Sequence, residues 1–363
     1  MKLTDVEVLV IGGGVIGLSI ARSLLLKKKK VVVLEKENTV FLGNSSKNSG
    51  VIHAGIYYHP SSLKAKLCVL GKQKIYRYLK KNKINYTKCG KLIVASSNKQ
   101  IKLLHKLKEN ALQNGVDTKL INANQSSLLE PNLKCYGALL SDSTGIVDQN
   151  EFALSLQNDI ESLGGNIILR SEFTSADFKE DHIEFVLNND VNQKYKANII
   201  INAAGIWSRK ISKKINGLDK SIIPKIKLIK GNYYKLKKKK PFNKLIYPIP
   251  DKYGLGIHST INMYNETIFG PDTEIIKKFD FNVTPNLEEK FLKSIRTYTD
   301  YVKVENLHAD YCGVREKTIN DDFVITKTKK EHTSIINLFG IDSPGLTASL
   351  AIGDYVKNMI NSN

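Results

Sequence analysis

The chain is poor in the residues that build metal centres and covalent staples. It has 4 cysteines, Cys68, Cys89, Cys135 and Cys312, and no C-x-x-C pair. That spacing argues against zinc ligand sets and a disulfide framework, and makes reduced thiols in a cytoplasmic protein the expectation. The 7 histidines are scattered, with no H-E-x-x-H or similar ligand spacing, so no metal is expected. No apolar run is long enough to span a bilayer. The apolar N-terminal stretch is broken by glycines and reads as strand and helix rather than signal peptide. No internal repeat is visible. Acidic residues are few, 35 against 55 Lys and Arg, for a net charge of +20. Such a charge admits nucleic acid or anionic membranes as partners. The lysine runs at Lys27 to Lys30 and Lys237 to Lys240 fall at expected turns, however, without interleaved aromatics or a nucleic-acid module. The charge therefore reads as solvated surface with some peripheral membrane attraction, and no nucleic acid as partner.

What is present is concentrated in residues 9 to 36, LVIGGGVIGLSIARSLLLKKKKVVVLEK. The order is strand, glycine turn, helix, second strand. Gly12, Gly14 and Gly17 have the G-x-G-x-x-G spacing. The first permits a tight turn, the second lets backbone approach a pyrophosphate, and the third lets helix pack on strand. The helix N-terminus would face the phosphates with its positive end. Glu35 closes the second strand, where a carboxylate can accept hydrogen bonds from a ribose diol, with Lys36 beside it. The motif predicts a dinucleotide, and by itself leaves nicotinamide and flavin open.

A length of 363 residues allows two or three domains. After the nucleotide unit comes a Ser/Asn/Gly loop, Phe41 to Gly55. The spacing of Leu63, Leu67, Leu70, Ile75 and Leu79 predicts a helix over Ser61 to Lys81. Leu92 to Ser97 reads as a strand. A helix capped by Asn98 follows, ending at Gly115. Asn150 to Leu163 reads as a helix, NIILR and IEFVL as strands, and Asn198 to Gly205 as a buried strand entering a small-residue turn. Tyr233 to Phe269 looks antiparallel, and Glu288 to Tyr301 helical. The end is a strand, a Gly/Pro turn and a last helix. Nucleotide-type segments at the start, middle and end, with antiparallel segments between, predict a discontinuous two-domain α/β enzyme.

Six segments then carry a family resemblance: NSGVIHAGIYY (48–58), SLKAKLC (62–68), CGKLIVA (89–95), TGIVD (144–148), IYPIP (246–250) and IDSPGLTASLAI (341–352). They are similar to L-2-hydroxyglutarate dehydrogenase relatives in the D-amino-acid-oxidase-like FAD superfamily, in order from near Val6 to the C-terminus. The resemblance implies noncovalent FAD. It implies a Rossmann-like FAD-binding domain of residues 1–85, 144–222 and 308–363, and a substrate domain of 86–143 and 223–307 built on a large antiparallel sheet. It also implies oxidation of L-2-hydroxyglutarate or a related small 2-hydroxy acid, with electrons passed to a quinone or carrier protein. Two departures mark a short-form relative: the stretch from Gly270 to Tyr311 is short, and Lys47 stands where the fuller members usually have a histidine. Separately, Glu316 stands where a proline often follows the arginine in the wider superfamily.

The chemistry needs a cation for the carboxylate, a base for the hydroxyl proton, and a hydride acceptor. The resemblance assigns the first to Arg315 in YCGVREK, whose guanidinium fork suits a carboxylate; the alternative is a surface Arg paired with Glu316. His53 is the expected base, with a pKa near working pH. His258 in GLGIHST is its rival, with a polar-contact role otherwise. Tyr58, Lys66, Tyr233 and Tyr247 are expected to line the substrate, with Lys66 a candidate for a second carboxylate. Beyond the glycine motif, FAD contacts are expected from Asn48, Ser49, Val51, Ala203, Ala204, Gly205 and Gly313. Gly340, Ser343, Pro344, Gly345, Leu346 and Thr347 form a turn whose helix amides would meet the flavin carbonyl edge. Two alternatives stand beside this reading: an amine or amino-acid oxidase acting on glycine, sarcosine or a D-amino acid, and a flavin-containing RNA-binding or RNA-modifying protein.

Overall fold

The computed structural model describes residues 5–250 and 256–361. The chain divides into two compact units, one of Met1–Ser46, Gln149–Lys227 and Glu316–Asn363, the other of Lys47–Asp148 and Leu228–Arg315. Both are discontinuous, and the first crossing falls at residue 46, where the resemblance places it at 85. The reason lies in packing. Val51, Ala54 and Ile56 join Ile93, Leu139 and Tyr247 in one core, and Val51 pairs with Ile146 across an antiparallel bridge. The segment 47–85 is thereby tied to the second unit.

In the first unit, Asp5–Ile11 pairs in parallel with Val31–Leu34 on one side and Asp190–Asn202 on the other. Ser334–Phe339 adds in parallel beyond it, and Asn166–Ile168 at the far edge. Strands covered on both faces read as continuous apolar runs, and Val31–Leu34 and Ser334–Phe339 are buried throughout. The expected strand NIILR stops at Ile168, because Arg170 turns into the left-handed region at φ 54°. The helices Val15–Leu25 and Gly345–Asn361 meet so closely that a Cβ on Gly353 would lie 2.5 Å from the Ser19 carbonyl oxygen.

The second unit is a sheet that runs Glu274–Ile276, Ile226–Leu236, Thr267–Gly270, His258–Ile261, Leu245–Pro248, Lys91–Ala95, Gly137–Ser141, Lys119–Asn122, with Leu307–Thr318 against Ile226–Leu236. Period-2 alternation sends its side chains to two different cores. Leu92, Val94, Ile246, Tyr234 and Phe269 enter one, against Phe291 of the helix Glu288–Ile295. Ile93, Leu245 and Tyr247 enter the other. The expected helix to Tyr301 ends at Ile295, because Tyr298 turns inward and donates its hydroxyl to the Ile257 carbonyl at 3.2 Å. Gly254 and Leu255 of GLGIHST lie outside the described residues.

Gly17 gives the sharpest stability test. A Cβ there would sit 1.9 Å from the Gly12 carbonyl oxygen, a backbone atom that cannot turn aside. Gly17→Ala should lower the unfolding free energy in urea by about 1–3 kcal/mol, as overpacking does. An unchanged midpoint and slope would contradict the close approach.

Candidate active site

The glycine turn of the first unit adopts the geometry its spacing predicts. Gly12 has φ 108°, and a Cβ on it would approach the Ala203 carbonyl oxygen to 2.7 Å. A Cβ on Gly14 would meet Ser45 Oγ at 2.9 Å, and that hydroxyl accepts the Val15 N–H at 3.1 Å. The first helical turn carries no acidic residue, so its amide end keeps its attraction for an anion. The Glu35 carboxylate accepts from Gly13 N–H at 2.7 Å through one oxygen and from Glu37 N–H at 3.0 Å through the other. Ala203, Ala204 and Gly205 follow the central strand directly, with Gly205 at φ 56°. A cradle that only glycine can line, at a helix N-terminus beside a placed carboxylate, fits the pyrophosphate and ribose of a dinucleotide. Lys36 is exposed, with its ammonium 4.8 Å from the Trp207 ring centroid. Gly340, at φ 63°, precedes the turn of Ser343 and Pro344 that opens the last helix at Gly345; Leu346 and buried Thr347 lie in its first turn.

Two expected cofactor segments come together within the second unit. Asn48 Oδ1 accepts the Gly50 N–H at 2.7 Å, a local turn that sets the backbone of Ser49 and Val51. Tyr311 donates its hydroxyl to the Asn48 carbonyl at 3.5 Å, and a Cβ on Gly313 would lie 3.3 Å from the Lys47 carbonyl oxygen.

The second unit also gathers the chemistry-bearing side chains. Tyr247 and His258 are cross-strand neighbours, because Ile246 pairs with Ser259 in the antiparallel register. Their rings stack with centroids 3.8 Å apart. His258 is 4% exposed and its Nδ1 lies 3.1 Å from the Gly256 carbonyl oxygen. A carbonyl only accepts, so Nδ1 carries the proton and Nε2 keeps its lone pair. Burial first, then the charges of Lys91 and Arg315, push the His258 pKa down to about 3 against the Gly256 bond. His53 is similarly held neutral at about 3, by burial, Lys91 and His258. Its expected pKa near working pH is thus corrected downwards. The two histidines are neighbours rather than rivals. Tyr233 stacks on Tyr311 at 4.4 Å, and the Arg315 charge reaches Tyr233 as well as His258.

Arg315 does not pair with Glu316. Successive strand residues point to opposite faces. Glu316 is 5% exposed, and burial raises its pKa to about 7, with Arg209 opposing. Tyr58 contributes its carbonyl as acceptor for Asn110 and Asn114, while the ring beside the cluster is that of Tyr57. Lys66 is exposed on the helix Leu63–Lys81, and among the described residues nothing ties it to the His53 cluster.

The lysine that does belong there is Lys91. It is 1% exposed, with its ammonium 4.6 Å from the ring centroids of both Tyr57 and Tyr247. Burial pushes its pKa down to about 7, and the Cys68 thiol only partly opposes this. Its signal in the sequence was parity: Lys91 shares a face with Ile93 in a strand that is buried throughout.

The cradle of the first unit defines a dinucleotide-binding protein. More narrowly, the chain belongs to the FAD dependent oxidoreductase family, which matches residues 7–359. The L-2-hydroxyglutarate dehydrogenase of Arabidopsis thaliana mitochondria is 36% identical over 400 residues, covering 97% of this chain and 83% of that protein. The glycerol 3-phosphate dehydrogenase of Caloramator mitchellensis is 31% identical, covering 98% and 74%. In structure, the FAD-bound L-alpha-glycerophosphate oxidase of Mycoplasma pneumoniae superposes with a TM-score of 0.91 at 23% identity, over 99% of this chain and 95% of that one. The protein is an FAD-dependent oxidoreductase with the family's mixed α/β fold.

The neutral histidine predicts a pH dependence. Below the ordinary pKa of 6.5 the unfolded chain takes up protons that buried His258 refuses until about pH 3. Stability should therefore fall as pH drops through that window. In His258→Gln the fall should be shallower by roughly 1.4 kcal/mol per pH unit. Equal slopes in urea titrations of the two proteins would show that His258 titrates normally.

Proposed function

We propose that the protein oxidises L-2-hydroxyglutarate, or a close 2-hydroxy acid, to the 2-oxo acid and passes the electrons to a quinone or carrier protein. One observation supports this reading: a sheet face that holds the Arg315 cation beside two neutral imidazoles, on which, among the described residues, burial and cations act and no carboxylate does. Asp272, whose charge acts on Tyr233, already accepts from Asn232 N–H at 2.8 Å and pairs with Lys290 at 2.5 Å. An amino-acid substrate would leave its ammonium unmatched on that face, which disfavours the amine-oxidase reading. The relatives named for L-2-hydroxyglutarate support the alcohol.

The bound FAD, held noncovalently, supplies the hydride acceptor. Gly12, Gly14 and Gly17 admit its pyrophosphate, and Glu35 accepts from its ribose. Arg315 binds the carboxylate next to the reacting carbon and fixes which face of that carbon is offered. His53 takes the hydroxyl proton as the C–H bond breaks. Burial keeps that imidazole neutral. His258, its tautomer set by Gly256, offers Nε2 as a second acceptor that orients the hydroxyl.

The test is anaerobic reduction of the purified yellow enzyme. L-2-hydroxy acids should bleach the flavin, while sarcosine, glycine and sn-glycerol 3-phosphate should not. Bleaching by an amine alone would replace the reading with amine oxidation. Arg315→Leu should keep FAD but lose kcat/KM by an amount worth about 2–5 kcal/mol, the usual loss for a buried charge pair. An unchanged value would move the carboxylate clamp elsewhere. His53→Ala should slow flavin reduction about 10²–10⁴-fold with little change in substrate affinity. The same phenotype in His258→Ala, with His53→Ala active, would exchange the two roles.

A further inference from the structure

Lys91 is not used by the chemistry above, and its setting is costly. An ammonium removed from water needs a counter-ion or acceptors for its three N–H groups. Among the described residues, no carboxylate pairs with Lys91 and no acceptor lies within hydrogen-bond reach. What it has are two aromatic faces, Tyr57 and Tyr247, each 4.6 Å away. Rings attract a cation but accept none of its N–H bonds well. A second polar group stands by it: the Tyr57 hydroxyl is buried without a hydrogen-bond partner. An ammonium and a hydroxyl, both short of partners and both donors, share one small region. That is the complement of an anion.

The position of Lys91 says which anion. On the sheet face, Leu307–Thr318 with Arg315 and Ile226–Leu236 with Tyr233 lie on one side of His258, and Lys91–Ala95 lies on the other, beyond Tyr247. The charges report the same order. Arg315 acts on Tyr233 and His258, whereas Lys91 acts on His258 and His53. A substrate with its hydroxyl at the imidazoles and its adjacent carboxylate at Arg315 points its remaining chain towards Lys91.

We propose that Lys91, with the Tyr57 hydroxyl, receives the distal carboxylate of the substrate, so that the site selects 2-hydroxy dicarboxylates over 2-hydroxy monocarboxylates. The proposal rests on the oxidation of 2-hydroxy acids argued above and adds the residue that sets chain-end specificity. The ligand carboxylate replaces the missing counter-ion, and a substrate ending in methyl leaves both donors unmatched.

The comparison uses holoenzyme, with L-2-hydroxyglutarate against L-2-hydroxypentanoate, which has a methyl in place of the distal carboxylate. Wild type should prefer the diacid in kcat/KM. Lys91→Met should lose about 100-fold on the diacid, chiefly in KM, and stay within about 3-fold on the monoacid. Lys91→Gln carries the same comparison should Lys91→Met fail to retain FAD. Equal losses on both substrates, or none on either, would overturn the proposal alone. Reduction of wild-type flavin by no 2-hydroxy acid at all would overturn the functional reading and this proposal with it.

Discussion

A sheet face that buries His258 and Lys91, with no carboxylate acting on its imidazoles among the described residues, constrains what surrounds it. Neutral groups can stay there only as neutral groups, which is why His53 and His258 are driven to the imidazole form. Cations can stay only if something else carries negative charge. Stripping a charge of water without a partner costs several kcal/mol, and two tyrosine faces offset part of that for Lys91. The rest is left for a ligand to supply. On the proposed reading, a diacid with a neutral hydroxyl is matched to both cations.

The cofactor unit is governed by a different constraint, close approach of backbone. Gly12, Gly14 and Gly17 each stand where a side chain would strike a carbonyl or hydroxyl oxygen at under 3 Å. The strand Asp5–Ile11, the helix Val15–Leu25 and the turn after Asn202 are consequently fixed against one another, and the amide end of the helix is left clear of acids. Precision here comes from absent side chains. On the sheet of the second unit it comes from the parity of side chains that are present.

Much of this was legible in the sequence. The glycine spacing and Glu35 identified the cradle, since each residue has a local steric or hydrogen-bonding reason to be there. Helix starts followed less closely: Asn98, the expected cap, opens a 3-10 turn Asn98–Gln100 and the helix begins at Ile101 without a side-chain cap, while the start expected at Ser61 falls at Leu63, where Ser62 accepts the Ala65 N–H at 3.1 Å. The misses share a cause. Lys66 looked suitable because its segment matched, but a residue number on a helix does not say which side faces solvent. Tyr58 was named because its segment matched, and the ring beside Lys91 is that of Tyr57. Lys91 was passed over because a lysine at the head of an apolar strand reads as a flank, and its burial depends on Tyr57 and Tyr247, which are distant in sequence. The domain boundary at 46 was likewise set by a tertiary core, Val51 to Ile56 on the sheet, that no local pattern encodes.

The central claim, that this face awaits an anion, can be read without turnover. Glutarate binds the same cations but has no hydroxyl to oxidise. Lys91, held near pKa 7 when unliganded, is mostly neutral at about pH 8 and should be charged once a carboxylate lies against it. Calorimetric titration of holoenzyme with glutarate, in two buffers of different ionisation enthalpy, should show uptake of roughly one proton at about pH 8, shrinking towards zero near pH 6. Binding without proton uptake at the higher pH, or with proton release, would contradict it.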